Sequence, residues 1–142
     1  MNIRHTDISL LYPEMQGPTR ALAEDLTLAH QANLTEFRFE VFETYRSFWR
    51  QAELFAKGTT KARPGQSAHQ FGFAVDFVPF LSQAEAVALG VRPGWYWPKA
   101  EHGDWEVLSE LAAQHGLRTP ISWDKPHIEF PGWKEIRKLV IS

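Results

Sequence analysis

The chain is organised around one stretch, Ser67-Ala68-His69-Gln70-Phe71-Gly72-Phe73-Ala74-Val75-Asp76. This stretch supplies an imidazole at His69 and a carboxylate at Asp76, with Gly72 between them. The run from Phe73 to Phe80 is mostly apolar and predicts a buried strand, in which a carboxylate is unfavourable unless a partner or a metal ion holds it. Because glycine has no Cβ, a bend at Gly72 can fold the preceding loop back so that His69 reaches Asp76.

A second stretch lies far downstream, Trp123-Asp124-Lys125-Pro126-His127-Ile128-Glu129-Phe130, and supplies another imidazole and more acids. His69, Asp76 and His127 form a three-ligand set that leaves coordination positions for water and substrate, which is the arrangement of a catalytic zinc ion. Spacing alone leaves a second interpretation open, in which Asp76 is a buried carboxylate paired with a core histidine. A mononuclear iron site also uses two histidines and one carboxylate, but its first histidine and its acid are normally closer in sequence.

The composition is that of a globular protein with one domain. The chain has 142 residues, of which 44% are hydrophobic and 23% are charged, and this length is sufficient to bury a core. A net charge of -2 offers no electrostatic basis for binding nucleic acid, and no apolar stretch approaches the ~20 residues of a membrane-spanning helix. The chain contains no cysteine, so any metal ion must be bound by His, Asp or Glu.

Apolar periodicity predicts helices over residues 18–31, 48–57, 82–89, 105–115 and 133–141, and strands over residues 37–42, 73–80 and 127–130. The first helix is expected to begin at Pro18, because proline is tolerated in the first turn, where its missing N–H is not needed. The turn-rich segment 92–98 contains three aromatic residues. It is either a wall of the substrate site or a loop that its rings attach to the core.

Two further acids lie close to the second histidine. Asp124 precedes His127 by three residues, and Pro126 stiffens the connection between them. This spacing places a free carboxylate beside the metal ion, where it can take a proton from water and pass it to a leaving amine. The alternative role of Asp124 is to form a turn. Glu129 falls on the same face of the strand as His127, where it can accept a hydrogen bond and orient that ligand.

Three polar residues upstream are candidates for substrate contacts. Arg46 lies where a predicted strand becomes a helix, and it can stabilise a developing oxyanion or anchor a substrate carboxylate. Taken by itself, an arginine at this position is more often a surface charge. Ser67 and Gln51 are polar candidates for the rim of the same cleft.

The two motifs are Ser67-x-His69-x-x-Gly72-x-Ala74-x-Asp76 and Asp124-x-Pro126-His127-x-Glu129. Together they resemble those of the zinc D,L-peptidases of bacterial cell walls, a family that includes D-Ala-D-Ala carboxypeptidases, vancomycin-resistance dipeptidases and phage L-alanyl-D-glutamate endolysins. The upstream stretch from Glu43 to Gly58, Glu-Thr-Tyr-Arg-Ser-x-x-Arg-Gln-x-x-Leu-x-Ala-x-Gly, is similar to the first motif of the same family. The resemblance covers about residues 35–130.

This resemblance implies an α+β fold, in which a small antiparallel sheet is flanked by helices as in the hedgehog signalling domain. It also implies zinc bound by His69, Asp76 and His127, a catalytic base at Asp124 and a substrate contact at Arg46. Asp in place of Glu as the base, with proline before the last histidine, looks more like the L-alanyl-D-glutamate endopeptidases. Residues 116–123 depart from the endopeptidase pattern because they lack a pair of glycines, and this difference concerns the substrate subtype.

The function that this resemblance implies is zinc-dependent hydrolysis of peptidoglycan stem peptides at the L-Ala-D-Glu bond. The alternatives are a D-Ala-D-Ala carboxypeptidase or dipeptidase, and a zinc-containing binding module without turnover. We expect residues 1–142 to form a single catalytic domain without a separate wall-binding module, and we expect this domain to be monomeric. The N-terminus lacks the apolar run of a signal peptide, which suits a phage endolysin made in the cytoplasm and released to the wall by a separate lysis protein.

Overall fold

The computed structural model of the protein describes residues 3–141. The helices are α1 (Pro13–Gln31), α2 (Phe48–Ala56), α3 (Gln83–Leu89), α4 (Gly103–Gln114) and α5 (Trp133–Ile141), and the strands are β1 (Phe39–Glu43), β2 (Ala74–Leu81), β3 (Gly94–Trp95) and β4 (His127–Glu129). Two short 3-10 helices, Ile8–Leu10 and Ala68–Phe71, lie in the connecting segments. Among these residues, no helix combines the length and the apolar character needed to cross a bilayer.

The four strands form one small antiparallel sheet with β2 as its central strand. All three other strands pair with β2. Strand β4 pairs with the first residues of β2, β1 pairs with its middle, and β3 pairs with its last two residues. In this register Asp76 lies opposite Glu43 on β1 and opposite His127 on β4. The predicted α+β fold with a small antiparallel sheet flanked by helices is confirmed.

The side chains of β2 alternate between two different environments. Val75 and Phe77 are fully buried in the main core, whereas Asp76 and Val78 line a cleft on the other face of the sheet. The main core contains Leu11, Met15, Leu22, Leu26, Phe39, Val75, Phe77, Trp105, Leu108, Ala112, Leu117 and Ile128. Most of its members outside the sheet come from α1 and α4, so one face of the sheet packs on these two helices and the other face is available for chemistry.

The first helix begins at Pro13, and the prediction that it begins at Pro18 is wrong. Pro13 occupies the first turn, where no backbone donor is required. Pro18 lies inside the helix, where it removes the N–H that would donate to the carbonyl of Glu14. Met15, in the first turn, is fully buried in the main core, and this packing stabilises a turn that local sequence rules did not predict.

The bend predicted at Gly72 is present and ends the 3-10 helix that carries His69. Gly72 has φ +75, a left-handed conformation, and its carbonyl accepts a hydrogen bond from the N–H of Tyr12 at 2.9 Å. A Cβ built on Gly72 would lie 2.9 Å from the backbone nitrogen of Tyr12 and 3.1 Å from the carbonyl oxygen of Leu10. The position therefore needs glycine both for its dihedral angle and for the close approach of the N-terminal segment.

We expect Gly72→Ala to lower the free energy of unfolding by about 3 kcal/mol or more, because it adds a backbone clash to the left-handed strain. Gly90→Ala is the matched control, since Gly90 has φ +71 but a Cβ there meets nothing within 4 Å. The control should lose only about 1–2 kcal/mol. Urea denaturation of both variants measures the difference, and equal losses would contradict the role of close packing at Gly72.

Candidate metal centre

Three side chains converge where β2 lies beside β4. Asp76 extends from β2, His127 from the opposite position on β4, and His69 from the 3-10 helix before Gly72. Asp76 Oδ1 lies 3.1 Å from Nε2 of His69 and 3.3 Å from Nδ1 of His127. One donor atom from each of the three residues lies within 4.8 Å of the others, so the three candidate ligands predicted from the sequence meet at one point.

The hydrogen bond of the first imidazole directs its free nitrogen at the cluster. Nδ1 of His69 lies 2.7 Å from the carbonyl oxygen of Thr44. A carbonyl oxygen only accepts, so Nδ1 carries a proton and donates it to that bond. In the neutral ring, the lone pair is therefore on Nε2, the nitrogen that faces Asp76.

The second imidazole has the opposite orientation. Nε2 of His127 donates to Oε1 of Glu129 at 2.9 Å, which leaves Nδ1 facing Asp76. Oε2 of Glu129 accepts a hydrogen bond from Nε1 of Trp133 at 3.0 Å. Glu129 is held at both oxygens and fixes the ring of His127, which agrees with the orienting role that its strand position predicts.

Burial and charge act in opposite directions within this cluster. Burial opposes the ionisation of Asp76, but the two adjacent imidazoles hold its pKa well below the usual range. Burial also opposes a charge on His127, yet hydrogen bonds to Asp76 and Glu129 raise its pKa to about 10. Burial opposes the ionisation of Glu129, but the hydrogen bond and charge of His127, together with the hydrogen bond from Trp133, lower its pKa. A metal ion bound here at neutral pH would take the place of the proton on His127.

The donor set fits an ion with the preferences of zinc. Two imidazole nitrogens and one carboxylate oxygen are usual zinc ligands, and three protein ligands leave a position for water or substrate. Around a tetrahedral ion with bonds of about 2.0–2.1 Å, neighbouring ligand atoms lie about 3.3 Å apart. The two distances from Asp76 Oδ1, 3.1 and 3.3 Å, are of this size, and all three donor atoms lie within 4.8 Å of one another.

A cleft of about 730 Å³ opens over the cluster. Residues from β1, α2, the loop after α2, β2, the segment after β3 and the loop before β4 line its walls. Among them are Phe42, Arg50, Leu54, Thr60, Lys61, Ser67, Val78, Trp97, Pro120, Ile121 and Trp123. Segment 92–98 both lines the cleft and is attached to the rest of the fold by an aromatic ring, the two roles that its sequence left open. The ring of Trp95 packs on Phe80 at 5.1 Å, whereas Trp97 is 52% exposed and lines the cleft.

Asp124 is half-buried in the wall of this cleft, on the loop before β4. Its main-chain carbonyl accepts a hydrogen bond from the N–H of His127 at 3.2 Å, so the residue does form part of a turn. Its carboxylate receives no hydrogen bond or ion pair from residues 3–141. Burial, followed by the charge of Asp76, raises the pKa of Asp124. The cleft therefore contains one carboxylate that is near the cluster and available for proton transfer.

Arg46 is the centre of a buried polar network below the cluster. Its Nη2 donates to Oε1 of Glu43 at 2.8 Å, and its Nη1 donates to Oε1 of Gln51 at 2.9 Å. Nη2 also lies 3.8 Å from Oδ2 of Asp76. The other oxygen of Glu43 accepts from Nε of Arg50 at 2.9 Å. Since Glu43 is 1% exposed, its charge is stabilised mainly by these two guanidinium groups.

A family model described as VanY, D-alanyl-D-alanine carboxypeptidase, matches residues 18–130, which is more than half of the chain. The chain belongs to the VanY family. The match includes the whole of the His69, Asp76 and His127 cluster and also Asp124.

One curated relative of this VanY-family chain is the peptidoglycan L-alanyl-D-glutamate endopeptidase CwlK of Bacillus subtilis (strain 168). The two are 30% identical over 63% of this chain. The chain spans 58% of the length of CwlK.

Solved structures with low sequence identity share the fold of this VanY-family chain. The L-Ala D-Glu endopeptidase ChiX of Serratia marcescens aligns over 94% of this chain and 94% of its own, with a TM-score of 0.59 at 17% identity. The LD-carboxypeptidase LdcB aligns over 91% of this chain and 63% of its own, with a TM-score of 0.54 at 18% identity. At these identities the likeness establishes the fold.

The residues proposed for substrate contact differ in their placement. Ser67 lines the cleft as expected, and its hydroxyl also accepts from the N–H of His69 at 3.3 Å. The prediction that Gln51 lies at the rim is wrong, because its side chain is fully buried. Gln51 accepts from Arg46 and donates to the carbonyl of Ala62 at 2.7 Å. It therefore holds Arg46 and the following loop in place from behind the cleft wall.

Sequence reasoning missed Glu43 and Arg50 as parts of the site. A signal for Glu43 was present: Phe37, Phe39 and Val41 occupy the apolar positions of an alternating strand, and Glu43 follows at the next such position. The register shifts between Val41 and Glu43, and this irregularity brings the carboxylate opposite Asp76. No sequence pattern indicates that Arg50, on α2, reaches back to Glu43.

We expect Glu129→Gln to weaken zinc binding by about 10- to 100-fold, because a single amide oxygen must replace two carboxylate oxygens that accept from His127 and Trp133. Competition with a chromophoric chelator measures the affinity. Glu135→Gln removes an exposed carboxylate from α5 and should leave the affinity unchanged. An unchanged affinity in Glu129→Gln would show that Glu129 does not orient the ligand.

Proposed function

We propose that the protein is a zinc-dependent peptidase that hydrolyses the L-Ala-D-Glu bond of peptidoglycan stem peptides. The observation that carries this proposal is the His69, Asp76 and His127 cluster, with the unpaired carboxylate of Asp124 in the same cleft. Three metal ligands with a nearby free base are the parts that hydrolysis of an amide requires. The family match supports a peptidase, and the structure supplies a site in which the reaction can occur.

The chain's own residues have distinct tasks in this proposal. A zinc ion bound by His69, Asp76 and His127 would polarise the scissile carbonyl and lower the pKa of water. Asp124 takes a proton from the attacking water and delivers it to the departing amine. Its raised pKa suits this exchange, because a carboxyl group must hold the proton briefly before it is passed on. Arg46, fixed by Glu43 and Gln51, contributes positive charge next to the cluster.

The choice of bond rests on the relatives. CwlK and ChiX are both named as endopeptidases that act between L-Ala and D-Glu, whereas the family model is described by D-alanyl-D-alanine carboxypeptidase activity. Asp at position 124, with Pro126 before the last histidine, also favours the endopeptidase by the resemblance described above. Carboxypeptidase activity is the second candidate, and the family description is the observation that favours it.

We also propose that the protein acts at the bacterial cell wall, because its proposed substrate is located there. Release by a separate lysis protein and the monomeric state remain predictions. A binding module without turnover is disfavoured because Asp124 retains a free carboxylate in the cleft. A protein that only binds has no need of a general base.

Digestion of purified peptidoglycan, with and without a chelator, tests the proposed function. Mass spectrometry of the products should show new amino termini at D-Glu, and these should disappear with the chelator and return when zinc is added. Release of D-Ala alone would overturn the proposal in favour of a carboxypeptidase. Retained zinc without any cleavage would overturn it in favour of a binding module.

We expect Asp124→Asn to keep its zinc and its melting temperature but to lose about 10²- to 10⁴-fold in kcat, because an amide cannot accept the proton of the attacking water. Stopped-time assays on a stem peptide measure the rate, and metal analysis confirms the zinc. Asp25→Asn changes a carboxylate on α1 that pairs with His115, away from the cleft, and should retain full activity. A fully active Asp124→Asn would remove this residue from the mechanism.

A further inference from the structure

Arg50 presents hydrogen-bond donors to the cleft that the proposed mechanism does not use. Its Nε is held by Glu43 at 2.9 Å, and its side chain is 16% exposed on the cleft wall. Its terminal nitrogens donate no hydrogen bond within residues 3–141, and Nη1 lies 3.9 Å from the partly exposed Glu53. The guanidinium is therefore fixed in position through Nε, while its outer edge stays available for a ligand.

Arg46 has fewer free hydrogen-bond donors for a ligand than Arg50. Both of its terminal nitrogens already donate to protein acceptors, Glu43 and Gln51, and the residue is 7% exposed. The charge of Arg46 is also compensated by two buried carboxylates, Glu43 and Asp76. Arg50 shares Glu43, and its second carboxylate, Glu53 at 3.9 Å, is partly exposed and therefore screened by solvent. Planar guanidinium groups bind carboxylates through paired, charge-assisted hydrogen bonds.

The chemistry of the proposed substrate supplies a matching anion. A stem peptide continues from D-Glu through its side-chain carboxyl group, so the α-carboxyl group is attached to the carbon next to the scissile nitrogen. This group is either a free carboxylate or, in amidated peptidoglycan, a neutral carboxamide. The two forms have nearly the same shape, and they differ in charge and in hydrogen-bonding character.

We propose that Arg50 recognises the free α-carboxylate on the residue after the scissile bond, so that the protein prefers stem peptides with D-Glu to those with the α-amide. This inference rests on the proposed function and deepens it by naming the form of the substrate. A carboxylate accepts two hydrogen bonds from the guanidinium edge. The carboxamide accepts only through its oxygen, because its NH₂ group is a donor and cannot bond to the N–H groups of the guanidinium. Arg50 therefore determines specificity and takes no part in proton transfer.

The same carboxylate chemistry occurs in a second source, the terminal D-Ala of a D-Ala-D-Ala peptide. There too the leaving residue carries a free α-carboxylate beside the scissile nitrogen. A guanidinium that binds this carboxylate would favour cleavage of either bond, so the experiment must identify the bond that is cut. Pentapeptide substrates that contain both bonds meet this need.

The test compares two synthetic pentapeptides, L-Ala-γ-D-Glu-L-Lys-D-Ala-D-Ala and its α-amide at D-Glu, each acylated at the amino terminus. The zinc-loaded protein should cut the L-Ala-D-Glu bond of the carboxylate peptide with a kcat/KM about 10- to 100-fold above that of the amide. Arg50→Gln should lose most of this ratio by slowing the carboxylate peptide alone. Arg50→Lys, which keeps the charge, should retain part of the preference.

Controls separate recognition from structure. Lys57→Gln removes a positive charge from the end of α2, 66% exposed beside Glu53, and should keep the full ratio. Equal slowing of both peptides by Arg50→Gln would show a structural role and overturn the inference, as would equal cleavage of both peptides by the unaltered protein. Release of D-Ala without cleavage after L-Ala would instead overturn the proposed function, so the two failures are distinguishable.

Discussion

The buried carboxylate of Asp76, on the central strand of the sheet, is the constraint around which the site is arranged. A charge at this depth is unfavourable unless it is compensated, and the compensation comes from separate elements: His69 from the segment before β2, His127 from β4 and Arg46 after β1. The pairing of β2 fixes which residues can take part. A shift of one residue in this register would turn Asp76 toward α1 and α4 and leave a charge in the apolar core.

Much of the fold follows from local patterns in the sequence. Alternation identified β1, the apolar run identified β2, and apolar periodicity identified α2, α3 and α4, because these signals depend only on neighbouring residues. The start of α1 did not follow from such signals. Two prolines each allow a helix to begin, and the burial of Met15 against distant core residues decides between them. Strand β3, two residues long, likewise exists only because β2 lies beside it.

The residues of the site also fall into a group that the sequence predicts and a group that it does not. His69, Asp76 and His127 could be grouped from the sequence because few residue types bind metal ions. The family resemblance then indicated that these three act as one ligand set. The surrounding network could not be grouped in this way. Glu43 enters the site through an irregularity in β1, Arg50 reaches it from α2, and Gln51 turns away from the cleft to bond Ala62. These outcomes depend on backbone geometry and on side chains that are distant in the chain. The alternation of β1 gives a local signal for Glu43, but no such signal exists for the contacts of Arg50 and Gln51.

The cluster also lies where a bound metal ion would cross-link segments that are distant in the chain. His69 and Asp76 come from the middle of the chain, whereas His127 belongs to β4, which is three residues long. The sequence has no cysteine, so no disulfide can join these parts. An ion held by all three side chains would close a long loop in the folded protein only, and its binding free energy would add to the stability of the fold. The short strand β4 is the segment that such a cross-link would secure most.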